Sequence, residues 1–424
     1  APDRPGPVGP RMIDLELVTI GTELLLGQLL DGNGAEIGRM LAERGVRVTR
    51  RTSVGDDEAS IGAAVSDALK RTGAVLTTGG LGPTRDDVTK RVVADLYQWP
   101  LEFDATIWDA LVDRFAKLGR TAPASNRSQA EVPRGAAVLS NRWGTAPGLW
   151  LEGPPGLTIM LPGVPREMRE LMRHEVLPRL ASRAGTAIIR SRTLRTTGVA
   201  ESKLAETLGL VEDELKPLTL AYLPGVSGVD LRVTAWGLPE DDARERLDAA
   251  EHRLRQSAGE WAYGTDDDDL AEVILGLARQ RHWHLAVAES CTGGLLGGRL
   301  TAVPGSSDVF VGGVIAYDNA VKTRELDVPT DLLAAHGAVS EAVARAMVEG
   351  VAQRFGAELA LAVTGIAGPD GGSPEKPVGT VFVAWRVGRR VGVSRVVLPG
   401  DRNEIRARAA QSALYLLYRA LHSA

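Results

Sequence analysis

The chain has 424 residues, of which 44% are hydrophobic and 24% charged, the balance of an ordinary globular protein with apolar material for two or three domains. Its 49 Lys and Arg stand against 54 Asp and Glu, a formal charge of −5, so the basic excess of a dedicated nucleic-acid binder is missing. A single cysteine, Cys291, excludes an internal disulfide and a cysteine-built zinc site, and it fits a reducing, cytoplasmic setting.

Residues 1–12 are rich in Pro and Gly and lack the apolar core of a signal peptide, which predicts a disordered lead-in. No apolar run is long enough to span a bilayer. From residue 13 strand and helix patterns alternate. Residues 15–20 form an apolar run ending at Gly21, as in a buried strand. A helix follows over 35–43, closed by Gly45. Residues 46–52 predict a second strand, 61–69 a helix, and 74–77 a third strand that enters a glycine-rich loop. A helix starts at Pro165, where proline suits the first helical position. The alternation implies a parallel sheet with helices on both faces.

Residues 184–264 read as a small α+β module, with strands over 188–196 and 229–236 and helices over 201–208 and 241–256. Gly225-Val226-Ser227-Gly228 has the spacing of the GXXG loop of nucleic-acid-binding KH modules. It stands before a strand, where a glycine turn is expected anyway. Asp266 to Asp269 precede a helix over 270–281, and acidic residues there favour the helix dipole. The α/β alternation then resumes. Strands are expected over 285–288, 313–317 and 359–364, a hairpin over 378–398, and a last helix over 402–421. The fold class is therefore two α/β domains, 13–183 and 265–424, joined by the α+β module.

The stretch Ala288-Glu289-Ser290-Cys291-Thr292-Gly293-Gly294 leaves a strand and opens a helix. Ligands of open α/β sheets bind beyond the carboxyl ends of strands. Ser290 is thus a candidate nucleophile, with backbone N–H groups at Gly293 and Gly294 offered to an anion. A serine needs a neighbour to take its proton. Tyr317-Asp318-Asn319-Ala320-Val321-Lys322 leaves another strand and supplies Tyr317 and Lys322, whose pKa burial could lower. A third loop, from Thr364 through Gly365 and Gly368 to Gly372, lets backbone approach a ligand closely. Taken singly, Ser290 could be a helix cap and Lys322 a solvated side chain; the combination describes a hydrolase-like site. Cys291 reads as a small buried hydrophobe. His282 and His284 lack a third metal ligand. His336 is the histidine nearest the loops, which contain none, so no Ser-His-Asp triad is expected.

In the N-terminal region, Thr78-Gly79-Gly80-Leu81-Gly82-Pro83-Thr84 suits a phosphate. Asp86 and Asp87 follow and could hold Mg²⁺ against it or cap the next helix. Thr22 and Glu23 leave the first strand, and Pro162-Gly163 supplies another loop.

Several of these motifs together resemble the CinA family. AESCTGG at 288–294, PGSS at 304–307, YDNAVK at 317–322, GAVS at 337–340 and TGIAGPDGG from Thr364 with KPVGTV resemble its PncC-type deamidase domain. The resemblance implies hydrolysis of nicotinamide mononucleotide to nicotinate mononucleotide and ammonia, without a cofactor. It implies Ser290, Tyr317 and Lys322 as catalytic residues, with Thr292, Gly293, Gly294, Asn319, Thr364, Gly365 and Gly368 around the substrate. Which helper takes the serine proton stays open. Residues 13–180, with GTELLLGQ at 21–28, resemble the molybdopterin-binding-like N-terminal domain of the family, and the middle module its KH-like connector. Gly32 stands where the family usually has threonine, while Asn33 is kept. This resemblance implies a nucleotide site of Thr22, Asn33, Gly79, Gly80, Gly82, Thr84, Pro162 and Gly163, with Glu23, Asp86 and Asp87 as metal ligands. It also implies ADP-ribose hydrolysis with a divalent metal and K⁺, or nucleotide binding without turnover, and a homodimer.

Overall fold

The structure, a computed structural model, describes residues 13–183 and 187–423; the expected lead-in lies outside them. The chain divides into two compact units, 1–190 with 234–246 and 191–233 with 247–424. Among the described residues no helix is long and apolar enough to cross a membrane.

The N-terminal strands are β1 (Ile13–Ile20), β2 (Val46–Val54), β3 (Ala74–Thr78), β4 (Leu101–Phe103), β5 (Glu131–Pro133), β6 (Ala137–Leu139), β7 (Gly148–Gly153) and β8 (Gly156–Leu161). Six of them form one sheet in the order β2-β1-β3-β8-β7-β6. The first four are parallel, as the alternation predicts, but β7 and β6 join antiparallel. The hairpin from Gly153 to Gly156 is too short for a crossover, so the sheet is mixed. Leu15 and Leu17 face one core with the helix Gly32–Ala42 and residues 168–180, while Val18 and Ile20 face another with the helices Glu58–Thr72 and Thr89–Tyr97. Burial on both faces explains the largely apolar strand, in which the buried Glu16 is paired with Arg71. The helix expected over 35–43 starts earlier, at Gly32, because Asp31 accepts from Gly34 N at 2.7 Å and caps it.

The middle strands β9 (Ala187–Thr196), β10 (Thr219–Pro224), β11 (Val229–Pro239) and β12 (Ala262–Thr265) lie in the order β10-β11-β9-β12. Gly225 to Gly228 form the turn between β10 and β11, closed by Gly225 N donating to Gly228 O at 2.8 Å. They do not join two helices, so the KH-type reading of the motif fails. In the aspartate run, Asp269 caps the helix Leu270–Gln280, Asp268 accepts from Thr265 N, and Asp266 accepts from Thr193 N.

The C-terminal sheet is β14-β13-β15-β16-β17, made of β13 (Leu285–Glu289), β14 (Phe310–Ile315), β15 (Leu359–Gly365), β16 (Thr380–Val387) and β17 (Arg390–Val397). The first three are parallel, and β16 and β17 form the expected antiparallel hairpin. The helices Leu270–Gln280 and Arg402–His422 pack on one face and the helix Glu341–Phe355 on the other. Register positions the site: Glu289 pairs with Ile315 on one side and Val363 on the other. Ser290, Ala316 and Thr364 therefore stand level at the carboxyl edge of the parallel strands.

Candidate functional site

At that edge lies a pocket of about 180 Å³, lined by Ser290, Cys291, Tyr317, Lys322, Thr364, Gly365 and Arg402, among others. Ser290 is held by its own backbone, its N–H donating to Val363 O at 2.9 Å and its carbonyl accepting from Gly293 N at 3.1 Å.

Lys322 is only 1% exposed and is the bulkiest fully buried side chain among the described residues. It lies on the helix Asn319–Leu326, which Asp318 caps by accepting from Ala320 N at 2.7 Å. Its Nζ donates to Ala316 O at 2.8 Å and Tyr317 O at 3.1 Å. Burial holds the ammonium below its usual range, against a smaller opposing pull from Asp318. A neutral amine has two N–H donors and one lone pair. Two carbonyls satisfy the donors, and the lone pair is left for a proton from the pocket.

Tyr317 lines the same pocket but is 61% exposed, and its hydroxyl accepts from Arg402 Nη2 at 3.0 Å. Arg402 Nη1 also donates to Gly368 O at 2.6 Å. Arg402 was not legible as a site residue in sequence; it opens the last helix, and only tertiary structure brings it to Tyr317. Cys291 belongs to the hydrophobic core, and burial pushes its thiol up to about 12, which makes it a poor nucleophile.

The amides of Gly293 and Gly294 do not fit the role the sequence suggests. Gly293 N already donates to Ser290 O. Gly294 N donates to Glu289 Oε2 at 3.0 Å, as does Leu296 N, while Gly297 N donates to Oε1 at 2.7 Å. The buried Glu289 carboxylate thus takes the place of an external anion at this helix start. It adjoins Ser290 in sequence, yet its role depends on the chain folding back over it. The Thr292 amide has no acceptor among the described residues, whereas the Cys291 amide faces its own thiol. The Thr292 hydroxyl is buried without a partner, and Thr364 Oγ1 donates to Ala338 O at 2.8 Å. Asn319 is exposed at the first helical position.

In the N-terminal region Thr19 pairs with Thr78, and Thr78 with Leu161. Gly21, Gly79 and Pro162 thus leave the sheet at one edge. Asn33 Nδ2 donates to Gly163 O at 2.7 Å and to Thr78 Oγ1 at 3.3 Å, and Thr78 Oγ1 donates to Pro162 O at 3.0 Å. Gly79 and Gly80 have φ of 109° and 67°. A Cβ at Gly80 would also collide with the Thr89 hydroxyl, so glycine is required there.

The carboxylates part company with the expectation. Thr22 N and Oγ1 both donate to Asp56 Oδ2, at 2.8 and 2.9 Å. Asp87 Oδ2 accepts from Thr84 N at 2.8 Å and from the Thr84 hydroxyl, closing a turn over Gly82. Asp86 is exposed and held below the usual carboxylate range by the Thr84 hydroxyl. Glu23 is exposed and lies over Gly21. Among the described residues no group of three or more His, Cys, Asp or Glu side chains is placed to hold a metal ion. Glu23, Asp86 and Asp87 are therefore not a ready-made metal cage, and any ion here would draw most of its ligands from a bound phosphate. The helix also starts only at Thr89, without a side-chain cap, so neither aspartate caps it. Sequence reading missed Lys90 on its first turn. Burial lowers Lys90 to about 8, and its Nζ donates to Ser128 O.

Two α/β sheets joined by a small module, with a serine and a buried lysine facing one pocket, define the class of protein. The chain belongs to the CinA family. Residues 16–182 match the probable molybdopterin binding domain, 191–264 the damage-inducible protein CinA KH domain, and 267–421 the CinA C-terminal domain. It is 55% identical over 412 residues to a CinA-like protein of Gemmatimonas aurantiaca, covering 96% of each chain. It is 47% identical to one of Parasynechococcus marenigrum, covering 87% of this chain and 88% of that one. Among solved structures, the competence/damage inducible protein CihA of Agrobacterium tumefaciens is 41% identical over 36% of this chain and 93% of its own, with a TM-score of 0.35.

Proposed function

We propose that the C-terminal pocket hydrolyses the carboxamide of nicotinamide mononucleotide, giving nicotinate mononucleotide and ammonia. The observation that carries this reading is Lys322, buried at the pocket of Ser290 with its Nζ held by two carbonyls and its pKa lowered by burial. Ser290 Oγ attacks the carboxamide carbon while its proton passes to the Lys322 amine. The Thr292 amide is the available donor for the oxyanion. Collapse of the tetrahedral intermediate breaks the C–N bond, and the lysine proton leaves with ammonia. Water then attacks the acyl-serine ester, with Lys322 again taking a proton; breaking of the C–Oγ bond releases nicotinate mononucleotide, and Lys322 returns that proton to Ser290 Oγ. Arg402 and Tyr317, joined at the pocket mouth, orient the substrate. The test is to incubate the full chain with nicotinamide mononucleotide and measure ammonia and nicotinate mononucleotide together. Absence of both products with folded protein refutes the reading.

For the N-terminal half we infer a nucleotide site at the Asn33, Gly79 to Gly82 and Pro162-Gly163 loops. The support is their convergence at one sheet edge. Two chemistries are compatible with it: ADP-ribose cleavage with a nucleotide-borne Mg²⁺ and K⁺, or regulatory binding. Release of AMP from ADP-ribose with Mg²⁺ and K⁺ separates them.

A further inference from the structure

A cavity of about 680 Å³ opens between the helix Ala105–Lys117 and the chain from Val138 to Pro147. None of the glycine-loop residues described above lines it. Its size falls within the range of small-molecule sites, about 300–1,000 Å³.

The lining has two characters. Ile107, Ala110, Leu111 and Val138 give an apolar wall, and Arg114, Lys117 and Arg142 bring three positive charges. Several arginines of this domain sit on carboxylates, as Arg47 does on Asp14, Arg71 on Glu16 and Arg169 on Glu36. The cavity cations have no such ion pair among the described residues; Arg114 Nη1 donates instead to the backbone carbonyl of Arg142 at 3.0 Å. Asp104 is the acidic residue of the lining, and it caps its helix by accepting from Thr106 N and Ile107 N. Glu167 is close enough to act on Arg114 but does not line the cavity. Three cations against Asp104 in the lining and Glu167 behind it leave a net positive charge that an anion would balance.

The opposite wall is already formed. Asn141 Oδ1 accepts from Trp143 N and Gly144 N, and its Nδ2 donates to Ala146 O at 2.7 Å and Glu167 Oε2 at 2.6 Å. The buried Gln129 donates to Thr145 Oγ1 at 3.3 Å. A wall held in this way costs little to order on binding.

We propose that this cavity is a binding site for a phosphate monoester with a flat or apolar body, of the class of nucleoside monophosphates. Arg114, Lys117 and Arg142 hold the phosphate, and Ile107, Leu111 and Val138 hold the body. Two guanidinium groups favour a phosphate over a carboxylate, because each can engage two of its oxygens. The site stands independently of the deamidase reading and of the glycine-loop site.

The test is calorimetric titration of the full chain with AMP and with adenosine. It is run on wild type, on the double variant Arg114→Gln/Arg142→Gln and on Asn33→Ala, with thermal melting to confirm that each is folded. The expected result is a class of AMP site that adenosine fills at least tenfold more weakly. The double variant should weaken it at least tenfold, and Asn33→Ala should leave it unchanged. The proposal is overturned if the double variant binds AMP as wild type does, if adenosine binds equally well, if AMP fails to bind at millimolar concentration, or if Asn33→Ala alone removes all AMP binding.

Discussion

The two α/β regions place their loops alike, at the carboxyl edge of parallel strands, yet they treat charge in opposite ways. The C-terminal edge encloses its ionisable groups. Lys322 and Glu289 are both 1% exposed, and each is satisfied by named backbone atoms. The N-terminal edge leaves Glu23 and Asp86 in water and uses Asp87 to close a turn. Excluding water is what moves a pKa far enough to make a base at neutral pH. The enclosed Lys322 supports the acid–base role proposed for the C-terminal edge, whereas at the N-terminal edge it is the carboxylates that stay in water, while Lys90 behind the glycine loop is lowered by burial to about 8.

The sharpest test of that contrast is Ser290→Ala. Loss of the nucleophile should lower ammonia release by roughly 10⁴- to 10⁶-fold, while Cys291→Ala keeps substantial activity because its thiol is buried and pushed to about 12. A folded Ser290→Ala protein with normal turnover, or an inactive Cys291→Ala protein beside it, moves the nucleophile to the cysteine.

Lys322→Met comes next, with an expected loss of about 10²- to 10⁴-fold, the usual range for a general base. Wild-type kcat/KM should rise with pH through the lowered lysine pKa, and this rise should be absent in the variant. Stability gives a second readout. The folded pKa of Lys322 lies below its unfolded value, so the cost of burying the charge is fully present below the folded pKa. That cost fades as pH rises toward the unfolded value. Lys322→Met should therefore gain stability over wild type at neutral pH and lose that advantage in alkali, as thermal melts across pH would record.

Glu289→Gln should cost less, on the order of 10- to 100-fold in kcat, because misplacing the serine turn weakens catalysis through geometry alone. An uncharged amide holds the three N–H groups more weakly, so KM should change little. A fall in stability with kcat intact would make Glu289 a purely structural cap.

These expectations rest partly on what the sequence could not reveal. The strand runs at 15–20 and 285–288 were legible because burial on both faces leaves largely apolar stretches, interrupted in the first by Glu16 and Thr19. Ser290, Tyr317 and Lys322 were legible as loop residues at strand ends. The burial of Lys322 was not, since it arises from packing of the helix Asn319–Leu326 against Glu341–Phe355. Arg402 is distant in sequence and meets Tyr317 only through the fold. The second role of Asp87 was not legible: a threonine three residues before an aspartate can close a turn with it, and Thr84 does so with Asp87.

The smallest expected effect falls on the N-terminal edge, with Asp87→Asn. Asparagine keeps a side-chain oxygen for Thr84 N and Oγ1, so the turn and the fold should survive, and ammonia release should not change. What is removed is one negative charge beside the glycine loop. A nucleotide diphosphate brings several negative charges, and the exposed Asp86 stands beside Asp87 at the loop. Binding without a cation would set like charges against each other. Mg²⁺ relieves this by taking one or two carboxylates together with phosphate oxygens. Wild-type affinity for ADP-ribose should thus depend on Mg²⁺, and Asp87→Asn should lose about tenfold in its presence, about 1.4 kcal/mol. Without metal the variant should bind as well as wild type or better, since a repulsion has gone. An affinity indifferent to both Mg²⁺ and the substitution would mean that Asp87 only closes its turn, and that glycine-loop amides alone meet the ligand.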